Sequence, residues 1–340
     1  MKSVCADVVI DLQFGDCGKG KVVHCLAAER AYTHVMRFNG GSNAGHTIYH
    51  KGKKFVTHLV PAGVFHGVRS VVAGGCVVDV DKLLQEIRGL EKLGIPASEL
   101  VRVAANAHIA TRKHVAEEEN EQKIGTTRTG NGPAYRDKHA RTGRRAHDDS
   151  RLSHLLTDPY LELWGSDEGS YVLMEGAQGF GLDVDWGDYP YVSSSNCTVA
   201  GAVNAGIPPQ NVMEIVGVAK PYVTYVGTKK FSGDHPGLTE IQRVGQEFGA
   251  TTGRPRQCNW LHLPLLAMAA NVNGVNKLIM NKTDVLEAVG EFRAYTDDKV
   301  DLISFSSIER FKGFVENYMF SKCPSIADGE IIWSSSPEKI

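Results

Sequence analysis

Ala6-Asp-Val-Val-Ile-Asp-Leu12 is a short β-branched run that passes directly into Gly15-Asp-Cys-Gly-Lys-Gly-Lys21, and Lys21 to Arg30 then has helical composition. A strand that enters a glycine-rich turn and leaves as a helix has few folds open to it. The glycines let backbone N–H groups close around an anion, and the helix N-terminus adds a favourable dipole. Further strand candidates lie at His34 to Phe38, Val68 to Val72, Tyr171 to Glu175, Val212 to Val218 and Lys277 to Met280. Helical candidates lie between them at Asp81 to Leu93 and His114 to Lys123. This alternation predicts an α/β fold with a mostly parallel central sheet and flanking helices. Ligands in such sheets gather outside the carboxyl ends of the strands. With no linker and no internal repeat in 340 residues, one domain (1–340) with helical insertions around 80–165 is expected.

Composition narrows the function classes. The formal net charge is -2, from 37 basic and 39 acidic residues, so no global basic field invites nucleic acid. The seven cysteines are odd in number and form no C-x-x-C pair, which predicts reduced thiols rather than a disulfide or zinc framework. The N-terminus lacks a signal peptide's charged head and long apolar segment, and no apolar stretch approaches the roughly 18 residues of a membrane span. A cytoplasmic protein without a membrane partner is expected.

Five constellations carry chemistry. Gly15 to Lys21 nearly satisfies G-x-x-x-x-G-K-[ST], with Gly15, Gly18, Lys19, Gly20 and Lys21 as phosphate-binding candidates. It fails at Val22, where a metal-binding hydroxyl belongs, so Asp16 is the nearest carboxylate for magnesium. Asn39-Gly-Gly-Ser-Asn-Ala-Gly-His-Thr47 is a second glycine-rich loop, and His46 in it can donate to a developing oxyanion or phosphoryl oxygen. Gly125-Thr-Thr-Arg-Thr-Gly-Asn-Gly-Pro-Ala-Tyr135 with Arg141 is a third anion-friendly stretch, and also fits a polar surface turn. Gly249-Ala-Thr-Thr-Gly-Arg-Pro-Arg256 pairs two threonines with two arginines, which suits a carboxylate. Lys277-Leu-Ile-Met-Asn-Lys-Thr-Asp284 is a strand running into N-K-x-D. There Asp284 can accept from both N1–H and the 2-amino group of guanine, while the Lys282 stem covers the base and Asn281 braces the loop.

Together these residues resemble adenylosuccinate synthetase. The resemblance rests on Gly15-Asp-x-Gly-Lys-Gly-Lys21, Asn43-Ala-Gly-His-Thr47, Gly125-Thr-Thr…Gly-Pro-Ala-Tyr135, Glu175-Gly-Ala-Gln-Gly179, Tyr189-Pro-Tyr-Val192 and Glu247-Phe-Gly-Ala-Thr-Thr-Gly-Arg254, in the family's order. It implies that family's fold, with a P-loop-like GTP site, and a GDP-forming carbon–nitrogen ligase that joins L-aspartate to C6 of a purine nucleoside monophosphate. By the resemblance Asp16 is the base at N1, His46 the acid, and Lys19 and Gln178 assist. Mg²⁺ is held by Asp16 and the Gly45 carbonyl. GTP contacts Gly15, Gly18, Lys19, Gly20, Lys21, Gly45, His46, Thr47, Arg256, Asn281, Lys282 and Asp284. The monophosphate contacts Asp16, Asn43, Ala44, Thr127, Gln178, Ser193 and Arg254, with Arg141 reaching its phosphate across a homodimer. Thr251, Thr252 and Arg254 hold aspartate.

The chain departs from the family pattern at Phe14, Cys17, Arg128-Thr129 and Pro255, and in a longer loop, Val226 to Gly237, near the expected ribose. Its length resembles the compact archaeal form and related bacteriophage enzymes, and its start, Val9-Ile-Asp-Leu-Gln-Phe-Gly15, and this loop look most like the bacteriophage branch. Those relatives act on dGMP and make 2-amino-2′-deoxy-adenylosuccinate for diaminopurine DNA, which would place the protein in a host's cytoplasm. Many of them replace the base carboxylate, whereas Asp16 is kept here. The expected substrate is therefore dGMP, with IMP as the alternative and a regulatory GTPase or an inactive nucleotide-binding protein as remoter readings.

Overall fold

The computed structural model describes residues 3–121, 123–249, 253–296, 301–327 and 330–340. Nine strands form the central sheet, in the spatial order Glu330–Ser334, Lys277–Asn281, Val212–Ala219, Val4–Asp11, Ser170–Glu175, His34–Arg37, Arg69–Val72, Val101–Ala104 and Leu156–Thr157. Every neighbouring pair is parallel. Parallel sheets are covered on both faces, so their strands read as continuous apolar runs. In the first strand Ala6, Val8 and Ile10 enter the core on one face and Val9 that on the other. The expected strands and helices fall within one or two residues of the observed ones, except that the helix expected at His114 to Lys123 spans Arg112–Glu118.

The segment 80–165 supplies helices at Val80–Glu91, Ala97–Leu100, Arg112–Glu118, Asn131–Ala140 and Pro159–Trp164. It also supplies two strands at one edge of the central sheet, Val101–Ala104 and Leu156–Thr157. Among the described residues three smaller sheets accompany the central one, one of them the parallel pair Val77–Val78 and His108–Ile109. His46–His50 and Lys53–Thr57 form an antiparallel hairpin. Tyr222–Tyr225, Gln257–His262, Phe292–Tyr295 and Leu302–Phe305 form a small mixed sheet. The seven cysteines are unpaired thiols, six of them buried. Among the described residues, no helix is long and apolar enough to cross a membrane.

The first helix, Lys19–Glu29, starts directly from the glycine loop. Gly18 sits at φ 94°, in the left-handed region that favours glycine, and a Cβ there would stand 2.8 Å from Asn281 Nδ2. At Gly20 a Cβ would meet His46 Cβ at 2.7 Å, so the missing side chain lets helix and hairpin approach.

Candidate active site

Loops leaving the carboxyl ends of Val4–Asp11, His34–Arg37, Ser170–Glu175 and Lys277–Asn281 converge on one cleft of about 1100 Å³. Asp11, the last residue of the first strand, organises the glycine loop and is only 1% exposed. Its Oδ1 accepts from the N–H groups of Gln13 (3.0 Å) and Gly15 (3.2 Å). Its Oδ2 accepts from the Cys17 N–H at 3.0 Å and from Lys19 Nζ at 3.1 Å. Lys19 also donates to the Gln178 carbonyl, so one ammonium ties the loop to 176–179. Cys17 is buried against Gln13, and burial, then the Asp11 charge, pushes its thiol far above the ordinary range. Lys21 borders the cleft, but its ammonium donates to Ser334 Oγ (2.8 Å) and to the carbonyls of Ser336 (3.0 Å) and Lys339 (3.1 Å). It therefore pins the C-terminal segment, and burial lowers its pKa to about 8.

His46 begins the hairpin, and its ring faces inward. Nδ1 lies 2.5 Å from Glu175 Oε1, and Nε2 lies 3.2 Å from Arg37 Nη1. The tautomer that satisfies both carries its proton on Nδ1 and accepts from Arg37 on Nε2. In this conformation neither nitrogen donates into the cleft. Burial, then the Arg37 charge, lowers the His46 pKa to about 4. Burial pushes Glu175 the other way, but Arg37, His46 and the Ala62 N–H outweigh it and hold the carboxylate at about 2.

Asp16 is partly exposed, at φ 61°, and its Oδ2 meets Arg256 Nε at 2.9 Å. Arg256 also grips Glu247, which is fully buried. Glu247 accepts from Lys220 (3.2 Å), Lys282 (2.8 Å) and the Tyr222 hydroxyl (2.6 Å). Burial raises its pKa, yet Lys220, Lys282 and Arg256 hold the carboxylate well below its ordinary range. A continuous charge chain thus joins Asp16 to the N-K-x-D loop. Asn281 ties that loop to the glycine loop, donating to the Cys17 carbonyl at 2.7 Å. Asp284 lies in the first turn of Thr283–Val289 and lines the cleft.

The substrate-side candidates gather too. Asn43 Oδ1 accepts from Gln178 Nε2 at 3.2 Å, and Ser195 donates to Gln178 Oε1 at 3.3 Å. Ala44, Gly45, Thr47, Thr127 and Ser193 line the same cleft. Glu121 caps the segment 123–126 through four backbone N–H groups, at 2.7 to 3.4 Å. Arg254 donates to the Gly125 carbonyl at 2.9 Å, linking this segment to the 249–256 loop. Arg141 is not brought in: it is exposed and borders a smaller cleft with His108, Lys138, His139 and Arg145. Thr251 and Thr252 lie outside the described residues. Asp11, Arg37, Glu121 and Glu247 were not singled out from sequence as site residues. Asp11 had a readable signal, a carboxylate ending a strand before a loop full of unpartnered N–H groups.

The donors on hand for a metal are the Asp16 carboxylate and the Gly45 carbonyl, both on the cleft. Hard oxygens of this kind fit Mg²⁺, which takes one or two protein ligands and completes its shell with water and phosphate oxygens.

The family model described as Adenylosuccinate synthetase matches residues 8–158 and 149–308. The adenylosuccinate synthetase of Chlorobium limicola is 38% identical over 351 residues, covering 87% of this chain and 80% of that protein. That of Helicobacter acinonychis is 38% identical over 338 residues, covering 85% and 81%. The fully ligated adenylosuccinate synthetase from Plasmodium falciparum superposes with a TM-score of 0.83 at 26% identity, covering 98% of each chain. The succinoaminodeoxyadenylate synthetase of cyanophage S-2L, bound to dGMP and dATP as an energy donor, superposes with a TM-score of 0.76. At 22% identity, covering 99% of this chain and 94% of that one, its likeness is one of fold. Fold and relatives define a carbon–nitrogen ligase. The chain belongs to the adenylosuccinate synthetase family.

Proposed function

We propose that this enzyme uses GTP and Mg²⁺ to join the amine of L-aspartate to C6 of a purine nucleoside monophosphate, with dGMP as the favoured acceptor. The observation that carries the reading is the meeting, in one cleft, of Asp16, His46 and the N-K-x-D loop on three different strand ends. Asp16 takes the proton from purine N1, so the 6-oxygen becomes nucleophilic and attacks the γ-phosphate of GTP. GDP leaves, and the 6-phosphoryl group is then displaced by the aspartate amine as inorganic phosphate. His46 donates to the phosphoryl oxygens after rotating away from Glu175 and Arg37. Magnesium held by Asp16 and the Gly45 carbonyl would neutralise charge on the phosphates. Gly15, Gly18, Gly20 and Thr47 cradle those phosphates while Lys19 fixes the loop, and Asp284 reads guanine. Arg254, with Thr251 and Thr252, grips the aspartate carboxylates. Arg141 from a second copy reaches the purine phosphate, which requires a homodimer.

The preference for dGMP is supported by the longer loop. Phe231 packs edge-on against Phe14 at 5.0 Å and lies tilted against Tyr225 at 5.4 Å, and Phe14 and Tyr225 line the cleft. The Phe14 and Phe231 rings of this wall offer no hydrogen bond to a 2′-hydroxyl and suit a deoxyribose. The second reading, IMP, is favoured by the retained Asp16 and by relatives 37–38% identical that are adenylosuccinate synthetases. The test offers IMP, dIMP, GMP and dGMP separately with Mg²⁺, GTP and L-aspartate, and identifies products by mass. A succinyl adduct of dGMP at a rate well above IMP is expected. An adduct of IMP alone would replace the first reading by the second, and no adduct with any acceptor would end both.

A further inference from the structure

Three histidines far apart in sequence meet behind the hairpin. His24 comes from the first helix, His50 ends the first hairpin strand, and His66 lies in the short helical turn Ala62–His66. One ring nitrogen from each lies within 4.8 Å of the other two. His66 Nε2 and His24 Nδ1 are 3.0 Å apart. The rings contact one another, His24 on His66 at 4.4 Å and on His50 at 5.3 Å between centroids. All three are partly buried. Phe65 walls the group, 5.8 Å from His24 and 5.4 Å from His50.

We propose that His24, His50 and His66 form a binding site for one zinc-class divalent cation, separate from the nucleotide cleft. Three imidazoles on a tetrahedral ion place their nitrogens about 3.3 Å apart. The observed spread needs only small side-chain rotations to reach that, with the fourth position left to water. Borderline nitrogen donors select Zn²⁺, Ni²⁺ or Cu²⁺ over Mg²⁺, which takes oxygen. Burial, then the neighbouring histidines, lowers the His24 pKa to about 4, and His50 and His66 shift the same way, with Lys51 adding to both. Each shift favours the neutral imidazole, the form that ligates.

The cluster joins two elements the cleft depends on. His24 shares its helix with Lys19, and His50 shares its strand with His46. A bound ion would clip hairpin to helix, holding the two glycine loops at a fixed separation.

The test uses tag-free, chelator-treated protein with Mg²⁺ in excess throughout. Zinc chloride should bind at one equivalent per chain by calorimetry and raise Tm by about 4 °C at a hundredfold excess over Kd. Substituting Co²⁺ should give the visible bands of a four-coordinate nitrogen site without thiolate charge transfer. His50→Gln and His66→Gln should each weaken binding about tenfold or more, while exposed His154→Gln should leave it unchanged. Absence of a saturable single equivalent in the unaltered chain, a thiolate signature, or an affinity in both ligand variants unchanged from the unaltered chain would overturn the proposal. The cobalt spectrum of the unaltered chain keeps the test decisive even if a variant folds poorly.

Discussion

Asp11 and Glu121 use the same device on two sides of the cleft, a carboxylate that gathers backbone N–H groups to shape a loop. Asp11 takes three N–H groups and the Lys19 ammonium while almost wholly buried. Glu121 takes four N–H groups but remains partly exposed. Water can replace much of what Glu121 supplies. Nothing can replace Asp11, because removing it leaves three buried N–H donors without partners and takes the paired carboxylate from a buried lysine. The phosphate loop is therefore a fixed wall, and the 123–126 segment an adjustable one.

The largest effect is expected at the fixed wall. Asp11→Asn should lower kcat/KM by more than about 10³-fold and cost about 3–5 kcal/mol of stability. Steady-state kinetics and denaturant unfolding check both, and a loss no greater than at Glu121 would break the comparison. Next comes His46→Asn, expected to lower kcat by about 10²–10⁴-fold. Fluorescent GTP analogues should still bind the variant, because the phosphate loop is held by Asp11 and Lys19. Unchanged turnover would remove His46 from the chemistry.

The same histidine sets a pH dependence of intermediate size. Its pKa falls from 6.5 to about 4 on folding. Between those values the unfolded chain binds more protons, so stability rises with pH through this window and levels off above it. Glu175, held at about 2 from 4.5, adds stability that is present above 4.5 and lost as pH falls toward 2. His46→Asn should make the fall in Tm between pH 6.5 and 4 shallower, as scanning calorimetry would register. An undiminished slope would mean that the imidazole is not buried in its neutral form. The smallest effect is expected for Glu121→Gln, a rise in KM for the purine nucleotide of a few-fold and a stability change below about 1 kcal/mol. A collapse of kcat there would show that the adjustable wall also orders the reacting groups.

Much of this was legible in sequence because it is local. A β-branched run ending at a glycine turn reports itself within about 15 residues, and the parallel sheet follows from alternation. The small mixed sheet was not legible: Tyr222–Tyr225 pairs with Gln257–His262 across a long connection, and no short-range pattern announces it. Of the site, the motif loops and their convergence at the strand ends were readable. Their supports were not. Glu247 stands inside a motif, but among its buried partners Lys220 and Tyr222 lie 27 and 25 residues away in sequence, and no spacing links them to it. Lys21 reads as a phosphate ligand from its spacing, yet its ammonium is committed to residues more than 300 positions away. The His24–His50–His66 cluster has no spacing that a motif could capture. It exists only because Gly20 lets the hairpin lie on the helix.

The central claim is that the purine's 6-oxygen leaves as phosphate. The most direct measurement starts from the accepted purine monophosphate labelled with ¹⁸O at C6, runs the reaction with unlabelled GTP, and weighs the inorganic phosphate by mass spectrometry. One ¹⁸O per phosphate, with none in GDP, is the predicted result. Unlabelled phosphate alongside a normal succinyl adduct would contradict the 6-phosphoryl route and the roles given to Asp16 and His46.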